Sequence, residues 1–404
     1  MGLFPGLIER ETSFMTGRGI LPSQDIREFI RIGRIRSNVE IPASQIQPAS
    51  IDLRLGRIAY RVRASFLPGR SSTILNKAKD LLVSEIDLSE PALFEPGAVF
   101  IVPLMEGLDL PSDVRGVANP KSTTGRLDIF IRLITECGDE FERVPKGYTG
   151  DLYAEIVSRT FPVRVRAGMK LNQLRFIRGN VAPAGDSRLE ELDRGEPLVY
   201  GDEQNPAFAD INRGLAITVD LQGNGKSNVI AYKAKEHAPA VDLEKVNYYD
   251  MGDFWTPIHR SSDGRLILEP SGFYLLTSQR RVRVPPDHAA ELVAFDPTMG
   301  EFRIHYAGFF DPGFGYGVQG EIPGTKAVLE VRAYELPVLL EHDQLVGRLN
   351  YYRMASTPEQ VYGLSIGSSY QQQELTPSKQ FKAPSASLHL AGLQPEAAPF
   401  SATR

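Results

Sequence analysis

Short apolar runs separated by turn residues dominate this sequence. From Leu93 onward, stretches such as LFEPGAVFIVPL, IFIRLI and DLYAEIVSRTFPVRV are punctuated by Gly, Pro and Asp. Strands of this length with turn signals between them indicate an all-β sandwich or barrel. Before them, LPSQDIREFIRIGRI predicts an amphipathic helix capped near Ser23 or Gln24, and residues 46–56 predict a strand that ends at a glycine. We therefore expect a mainly β fold with a short N-terminal helix.

The pattern then occurs a second time. GLAITVDLQG at 214–223 echoes PASIDLRLG, and AVLEVRAYELPVLL echoes LYAEIVSRTFPVRV. The offset between the copies is nearly constant, with 174 residues from Asp113 to Asp287 and 175 from Glu155 to Glu330. A period this long indicates a duplicated domain and not a solenoid. The sequence predicts two tandem lobes, each a β-barrel or jelly roll.

Changes in composition divide the chain into six predicted segments. The two lobes are separated by a charged stretch that contains Pro and Gly, and the Ala-, Pro- and Ser-rich end is expected to be disordered. The segments are an N-terminal arm (1–18), lobe one (19–182), a linker (183–213), lobe two (214–356), a polar C-terminal segment (357–382) and a tail (383–404).

The overall composition is that of an ordinary globular protein. The 404 residues are 42% apolar and 24% charged with a net charge of −5, which argues against nucleic acid as the main partner. No apolar run approaches the roughly 18 residues of a membrane span, and residues 1–19 lack the apolar core of a signal peptide. We expect a cytoplasmic protein with no membrane partner, in which a local basic cluster would hold any anionic ligand.

Copy two contains a lone carboxylate in an apolar strand. Residues 307–314 read AGFFDPGF, a tight Asp-Pro-Gly turn, and residues 327–331 read AVLEV with Glu330 inside. Because burying an unpaired charge costs several kcal/mol or more, this carboxyl must be paired, protonated or used in chemistry. A structural Glu held by backbone amides is the alternative interpretation.

Copy one contains a basic turn instead. Residues 121–126 read KSTTGR, with a cation at each end, three hydroxyls and a glycine that allows backbone amides to approach a ligand, as in phosphate cradles. A solvated basic turn is the alternative. Copy two reads DPTMGE at 296–301, where two acids would repel phosphate, and copy one lacks the Asp-Pro-Gly turn. The two copies therefore carry complementary parts.

These motifs resemble those of the dCTP deaminases, members of the trimeric dUTPase superfamily. AGFFDPGF followed by VLEV is similar to the family's nucleobase-binding motif, and IQPASIDLRLG looks like its first motif. KSTTGR resembles the family's Arg-Ser-Ser-x-x-Arg, with Lys121 and Thr123 as departures. The stretch from Tyr362 to Gln373 is similar to the segment that closes over the triphosphate, although Ser369 stands where the family has a Lys.

The resemblance implies two dUTPase-like lobes and the hydrolysis of dCTP to dUTP and ammonia, which supplies dUTP or dUMP for thymidylate synthesis. Mg²⁺ would enter with the triphosphate, no protein metal cage is implied, and dTTP is a candidate inhibitor. The implied catalytic residues are Glu330, Ser122 and Arg126, with Glu155 as a second candidate. The implied substrate-binding residues are Lys121, Thr123, Ala307, Asp311, Phe314, Tyr362 and Gln373.

The cysteine content bears on this chemistry. Zinc-dependent nucleobase deaminases need a His-x-Glu and a Pro-Cys-x-x-Cys to hold the metal, whereas this chain has one cysteine, Cys137, and neither motif. We therefore expect deamination without zinc.

The two copies also bear on assembly. In the homotrimeric family each site forms between subunits, whereas the monomeric herpesvirus dUTPases divide their motifs between two lobes of one chain. We expect one composite site per chain between the lobes, in a monomer or a homo-oligomer.

Three alternatives remain open. A dUTP diphosphatase of the same fold would use an Asp at the α-phosphate. A bifunctional deaminase and diphosphatase is compatible with the Asp that each copy retains, which is Asp52 in copy one and Asp220 in copy two. A non-catalytic nucleotide-binding or assembly protein is the third alternative.

Overall fold

The computed structural model describes residues 17–223, 227–293, 302–304, 308–333, 335–363 and 370–382, with the backbone alone at 302–304. Most of the expected N-terminal arm and the tail from residue 383 lie outside this part of the chain. So do Ala307, Ser369 and the 296–301 turn of copy two.

Most strands of lobe one form two sheets. The first sheet has the order β1-β13-β8-β10, with β3 also paired to β13, and the second has the order β5-β4-β7-β11-β9, with β2 on β7. The elements are β1 (Gly19–Ile20), α1 (Ser23–Arg31), β2 (Ile35–Ser37), a 3₁₀ turn (Ala43–Gln45), β3 (Ile51–Arg54), β4 (Ile58–Val62), α2 (Ile74–Asp80), β5 (Leu82–Asp87), β6 (Ala92–Phe94), β7 (Val99–Asp109), β8 (Val114–Pro120), α3 (Ser122–Gly125), β9 (Ile129–Thr135), β10 (Arg143–Val144), β11 (Thr149–Ser158), β12 (Val163–Val165) and β13 (Lys170–Arg178).

Lobe two repeats this arrangement. Its sheets have the orders β15-β26-β21-β23 and β18-β16-β20-β24-β22, with β14 on β20, and its elements follow in chain order. They are α4 (Asp186–Gly195), β14 (Val199–Tyr200), β15 (Leu215–Thr218), β16 (Val229–Ala234), β17 (Val241–Asp242), α5 (Met251–Phe254), β18 (Trp255–His259), β19 (Arg265–Leu268), β20 (Phe273–Val282), β21 (His288–Val293), β22 (Phe302–Ile304), β23 (Phe309–Phe310), β24 (Thr325–Ala333), β25 (Val338–Glu341) and β26 (Leu345–Arg353).

The two lobes place their strand glutamates at the same point of the same sheet. Strand β11 lies between β7 and β9, and β24 lies between β20 and β22. Glu155 is opposite Ile101, and Glu330 is opposite Leu275, the corresponding position of lobe two. The prediction of a mainly β fold with a short N-terminal helix is confirmed.

Two local predictions differ from the structure. Helix α1 begins at Ser23 with Pro22 at the N-cap position, where no side chain caps it, so buried Ile26 and Phe29 anchor the helix instead. The strand predicted over 46–56 is reduced to β3, Ile51–Arg54. Pro48 has no amide proton to donate to a ladder, and its carbonyl accepts the Ser23 amide (2.9 Å).

The stretch proposed as a linker contains regular structure. Helix α4 and strand β14 lie within 183–213, and β14 pairs with β20 of lobe two. Leu189 and Val199 are buried in the apolar core of lobe two. This stretch therefore packs as part of that lobe.

Strand pairing, ring packing and the C-terminal stretch all connect the lobes. Strand β17 of lobe two runs parallel to β12 of lobe one, and Trp255 packs edge-on against Phe161 with ring centroids 5.4 Å apart. The C-terminal stretch 370–382, called here the closing segment, returns to lobe one, where Ser378 Oγ donates to the Thr123 carbonyl (2.9 Å).

Within the described part of the chain, no helix combines the length and apolarity needed to span a bilayer.

Candidate active site

A cavity of about 370 Å³ opens where the two lobes and the closing segment meet. It collects the polar residues of both predicted motifs, although those motifs lie about half the chain apart in sequence. Its polar lining includes Asp52, Lys121, Ser122, Thr123, Arg126, Lys170 and Gln173 from lobe one, Asp311 and Glu330 from lobe two, and Tyr362, Tyr370, Gln373 and Lys379 from the C-terminal part.

The basic turn of lobe one is the short helix α3, which follows directly after β8. Thr124 is buried and its hydroxyl donates to the Leu171 carbonyl (2.7 Å), which fixes the turn on the start of β13. Lys121 and Ser122 border the cavity, and the Lys121 ammonium contacts the Asp52 carboxylate. The turn is thus anchored on one side and presents a cation and a hydroxyl on the other.

Two more lysines lie at this end of the cavity. Lys170 Nζ is 3.8 Å from Asp52 Oδ2, and Lys379 of the closing segment completes the cluster with Lys121. Burial lowers the pKa of Lys170, and desolvation together with the nearby Lys121 and Lys170 lowers the pKa of Lys379. Three cations surround one carboxylate, so the local field favours a polyanion.

Arg126 of lobe one lies where lobe one faces Glu330 of lobe two. Its side chain is 3% exposed, and its guanidinium lies over the Tyr370 ring at 3.7 Å from the centroid. Nη2 donates to Gln373 Oε1 (2.7 Å) and Nη1 donates to the Thr376 carbonyl (2.8 Å). Nε is buried without a hydrogen-bond partner in the described part of the chain, and lies 3.9 Å from Glu330 Oε1. The closing segment therefore holds Arg126 so that its free edge faces the glutamate.

Glu330 lies in the middle of β24, and its side chain is 6% exposed. Burial raises the pKa of its carboxyl to about 7, while the positive charge of Arg126 opposes that rise. A carboxyl with a pKa near neutrality can both accept and return a proton at physiological pH. This is the property that general acid–base catalysis requires.

The Asp-Pro-Gly turn of lobe two forms the opposite wall. Gly313 has φ = 91°, and a Cβ there would lie 2.7 Å from Val361 Cβ, so the turn requires glycine. Phe314 is buried, with its ring centroid 4.9 Å from that of Phe310 and 5.6 Å from that of Tyr362. These three rings shape an apolar wall beside Glu330.

Asp311, in the same turn, has a partner that sequence reasoning missed. Arg175 of lobe one donates from Nη2 to Asp311 Oδ1 (3.2 Å), and both side chains are buried. Burial raises the pKa of Asp311, and the Arg175 charge counteracts this rise. No sequence motif marks Arg175, since it is one position in the regular strand β13.

The closing segment is bonded to both lobes. The hydroxyls of Tyr370 and Thr123 are 2.8 Å apart, and Gln373 Nε2 donates to the Lys326 carbonyl (2.9 Å). Ser369 stands at the position where the family has a Lys. Ten residues later, Lys379 supplies a cation to the cavity.

Two carboxylates weighed from the sequence do not line the cavity. Glu155 accepts from Arg132 Nε (3.0 Å) and Nη2 (2.5 Å) inside lobe one. Asp220 is 3.2 Å from Lys326 Nζ within lobe two. Nor does any group of three His, Cys, Asp or Glu side chains in the described ranges have a geometry that could hold a metal ion.

Comparison with known protein families gives two matches that follow one another along the chain. Residues 17–180 match the family described as "2'-deoxycytidine 5'-triphosphate deaminase (DCD) N-terminal domain". Residues 185–381 match "2'-deoxycytidine 5'-triphosphate deaminase (DCD), C-terminal domain".

Individual relatives agree with these matches. A protein of Parafrankia sp. named "dCTP deaminase, dUMP-forming" is 33% identical over 168 residues, which is 39% of this chain and 76% of that protein. A Streptomyces avermitilis protein of the same name is 30% identical over 160 residues, 39% of this chain and 80% of that one. The crystal structure of 2'-deoxycytidine 5'-triphosphate deaminase from Agrobacterium tumefaciens is 47% identical, covers 84% of this chain and 100% of its own, and superposes with a TM-score of 0.79.

Proposed function

The chain belongs to the dCTP deaminase family, and from that premise we propose that it hydrolyses dCTP to dUTP and ammonia in the cavity between its lobes. The distance of 3.9 Å between Arg126 Nε and Glu330 Oε1 carries this proposal. It joins the basic turn of one lobe to the buried carboxyl of the other. Because the two sides of the cavity come from one chain, a monomer suffices for the site.

The charge distribution orients the substrate. The triphosphate binds at the end that holds Lys121, Lys170 and Lys379, where it relieves the repulsion between the ammonium groups. Mg²⁺ enters as part of the nucleotide, bound to phosphate oxygens and water. The cytosine then lies at the other end, beside Glu330, with the sugar against Phe314 and Asp311 near its 3′-hydroxyl.

The reaction requires one water and the movement of two protons, each of which passes through Glu330. Ionised Glu330 takes a proton from a water held near Ser122, and the oxygen of that water forms a bond to C4 of the cytosine. The same carboxyl delivers the proton to N3, which gives a tetrahedral intermediate. It then takes the remaining hydroxyl proton and passes it to the amine, so that the C4–N bond breaks and ammonia leaves. Glu330 thus accepts and donates both protons, and the mechanism does not use a zinc-bound water.

Arg126 supports these steps by position and charge. Its guanidinium is fixed by Gln373, Thr376 and Tyr370, so it does not have to reorganise as charge develops. Its positive charge favours the ionised form of Glu330, against the desolvation that raises the pKa of this carboxyl to about 7. We expect kcat/KM to rise with pH as Glu330 ionises in the free enzyme.

A second candidate is a bifunctional enzyme that converts dCTP to dUMP. The relatives named above as dUMP-forming favour it, and so does Asp52, which lies among the lysines at the phosphate end of the cavity. Against it, one Asp52 oxygen is already engaged by Lys121 and is not free to orient a water at the α-phosphate.

Product analysis tests the proposal. The protein is incubated with dCTP and MgCl₂, ammonia is measured enzymatically, and nucleotides are separated by anion exchange. We expect dUTP and ammonia in equal amounts, and no turnover of dUTP supplied alone. Formation of dUMP with pyrophosphate would establish the bifunctional enzyme, whereas dCTP binding without ammonia would establish a non-catalytic binder. Glu330→Gln is the matched control, because it retains the shape of the cavity.

A further inference from the structure

Another pair of opposite charges crosses between the lobes beside the Arg126 and Glu330 pair. Asp128 of lobe one bonds Arg332 of lobe two, and their side chains are 0% and 9% exposed. Thr160 donates to Asp128 Oδ2 (2.5 Å) and accepts from Arg332 Nη2 (2.9 Å). Arg332 Nη1 donates to the Ser271 carbonyl. The pair is therefore a built, buried contact.

The two pairs have opposite polarity. Side chains two residues apart on a strand point to the same face, so Glu330 and Arg332 project together from β24. Arg126 and Asp128 are likewise two residues apart on lobe one, and the carbonyl of Asp128 is held by the Arg159 amide (3.0 Å). Each lobe thus contributes one acid and one base, and each base has an acid across the interface.

We propose that Asp128 is a positioning residue that holds Arg332 away from Glu330, so that Arg126 is the cation that faces the catalytic carboxyl. This inference rests on the function of Glu330 proposed above. A buried guanidinium without a carboxylate is strongly unfavourable, and Arg332 Nε is already buried without a hydrogen-bond partner in the described part of the chain. If Asp128 lost its charge, the next carboxylate along this face of β24 would be Glu330, about 7 Å away between Cβ atoms.

The other groups around Glu330 define the background for this effect. Leu275 and Phe273, which lie opposite Glu330 and Arg332 on β20, are uncharged, and on the other side of β24 strand β22 places Arg303 opposite Arg332. The titratable and charged groups of the described residues that border the same cavity are Arg126, Asp311, Tyr362 and Tyr370 near the carboxyl, and Asp52, Lys121, Lys170 and Lys379 at the phosphate end. Substitution of Asp128 or Arg332 leaves all of these in place.

The pH dependence of kcat/KM for dCTP tests the proposal with Asp128→Asn, Arg332→Met and the double variant. In Asp128→Asn, the released guanidinium favours ionised Glu330, so the acid limb moves to lower pH by about one unit. In Arg332→Met, the negative charge of Asp128 is no longer offset by Arg332 and disfavours ionised Glu330, so the limb moves to higher pH by about the same amount. The double variant has neither charge, and its limb returns close to the wild-type position.

Thr160→Val is the matched control, since it removes the hydrogen bonds of Thr160 to Asp128 and Arg332 but no charge, and we expect its acid limb to stay in place. A purely structural pair would lower thermal stability in every variant without shifts of opposite sign, and that result would overturn the proposal. If Asp128→Asn does not fold, the direction of the shift in Arg332→Met decides. An active Glu330→Gln would instead contradict the proposed function, and so separates the two failures.

Discussion

Each lobe carries a buried glutamate at the same position of the same sheet, yet the two carboxyls have different surroundings. Glu155 is bonded to Arg132, which lies opposite it on the neighbouring strand β9 and stacks on Phe141 at 3.4 Å from the ring centroid. Glu330 faces Arg126 at 3.9 Å, and that arginine comes from the other lobe. The first carboxyl is in a direct ion pair with Arg132, whereas the pKa of the second is raised to about 7, which allows it to exchange protons near neutral pH.

The difference depends on where the arginine's other donors are engaged. Arg132 gives Nε and Nη2 to Glu155. Arg126 gives both terminal nitrogens to the closing segment and keeps only Nε toward Glu330. An arginine whose terminal nitrogens bond to other residues can shift the pKa of a neighbouring carboxyl through its charge without forming a direct ion pair with it. The comparison suggests that duplication separated a structural glutamate from a chemical one.

The largest expected difference between the lobes is in activity. Glu330→Gln removes the only proposed proton shuttle, and we expect ammonia release from dCTP to fall by a factor on the order of 10³ or more. Glu155→Gln, the matched substitution in lobe one, is expected to change the rate by less than about threefold, because this carboxyl does not line the cavity. Steady-state ammonia assays check both, and loss of activity confined to Glu155→Gln would reverse the assignment of the lobes.

The next difference is in stability. At pH 8 we expect the Glu→Gln substitution to stabilise the protein at position 330 and to destabilise it at position 155. The pKa of Glu330 is raised from 4.5 to about 7 in the folded protein, so the folded state binds more protons than the unfolded state between these pH values. The free energy of unfolding therefore falls as pH rises through this window, by about 3 kcal/mol in total. Glu330→Gln avoids this loss and should be more stable than the wild type at pH 8, but not at pH 4.5.

Glu155→Gln is the counterpart in this measurement. It leaves the partly buried Arg132 without its carboxylate, and we expect a loss of about 2 kcal/mol at pH 8. Urea unfolding at pH 4.5 and pH 8 measures both effects. Equal stability changes in the two variants would contradict the contrast between a desolvated and a paired glutamate.

The smallest expected difference concerns the phosphate end. Lys170 of lobe one corresponds in register to Leu345 of lobe two, at the first position of the equivalent strand. Lys170→Leu gives lobe one the residue of lobe two. We expect KM for dCTP to rise about tenfold with a smaller change in kcat, since under the proposed function this charge binds the triphosphate and not the base. Lys382→Ala, which removes an exposed pair with Asp250, is the control. An unchanged KM would remove Lys170 from the phosphate site.

Sequence reasoning identified the fold class, the duplication and the family because these depend on repeated local patterns. The 175-residue offset and the two strand glutamates are visible in the sequence, and the family match confirms the resemblance read from KSTTGR, AGFFDPGF and VLEV. The bounds of β3 and α1 were less accurate, because Pro48 and the packing of Phe29 override the local pattern.

The parts of the site that could not be predicted from the sequence are long-range contacts. Arg175 and Lys170 are single positions in β13, and their partners lie in another lobe or on another strand. Asp128 and Arg332 are 204 residues apart, and neither belongs to a motif. Such pairings follow from how two lobes dock, which no local spacing encodes. Ala307 and Ser369 lie outside the described residues, so the substrate-binding role predicted for Ala307 stays a prediction.

The parallel pairing of β17 with β12 has an evolutionary implication. Val241 and Asp242 of the second copy complete the small sheet that β12 forms with β6 of the first. Once a fused gene had come to share a sheet in this way, neither half could be inherited alone without exposing an unpaired edge. After this strand pairing had formed, loss of either copy became unfavourable, and the two copies were retained as one protein.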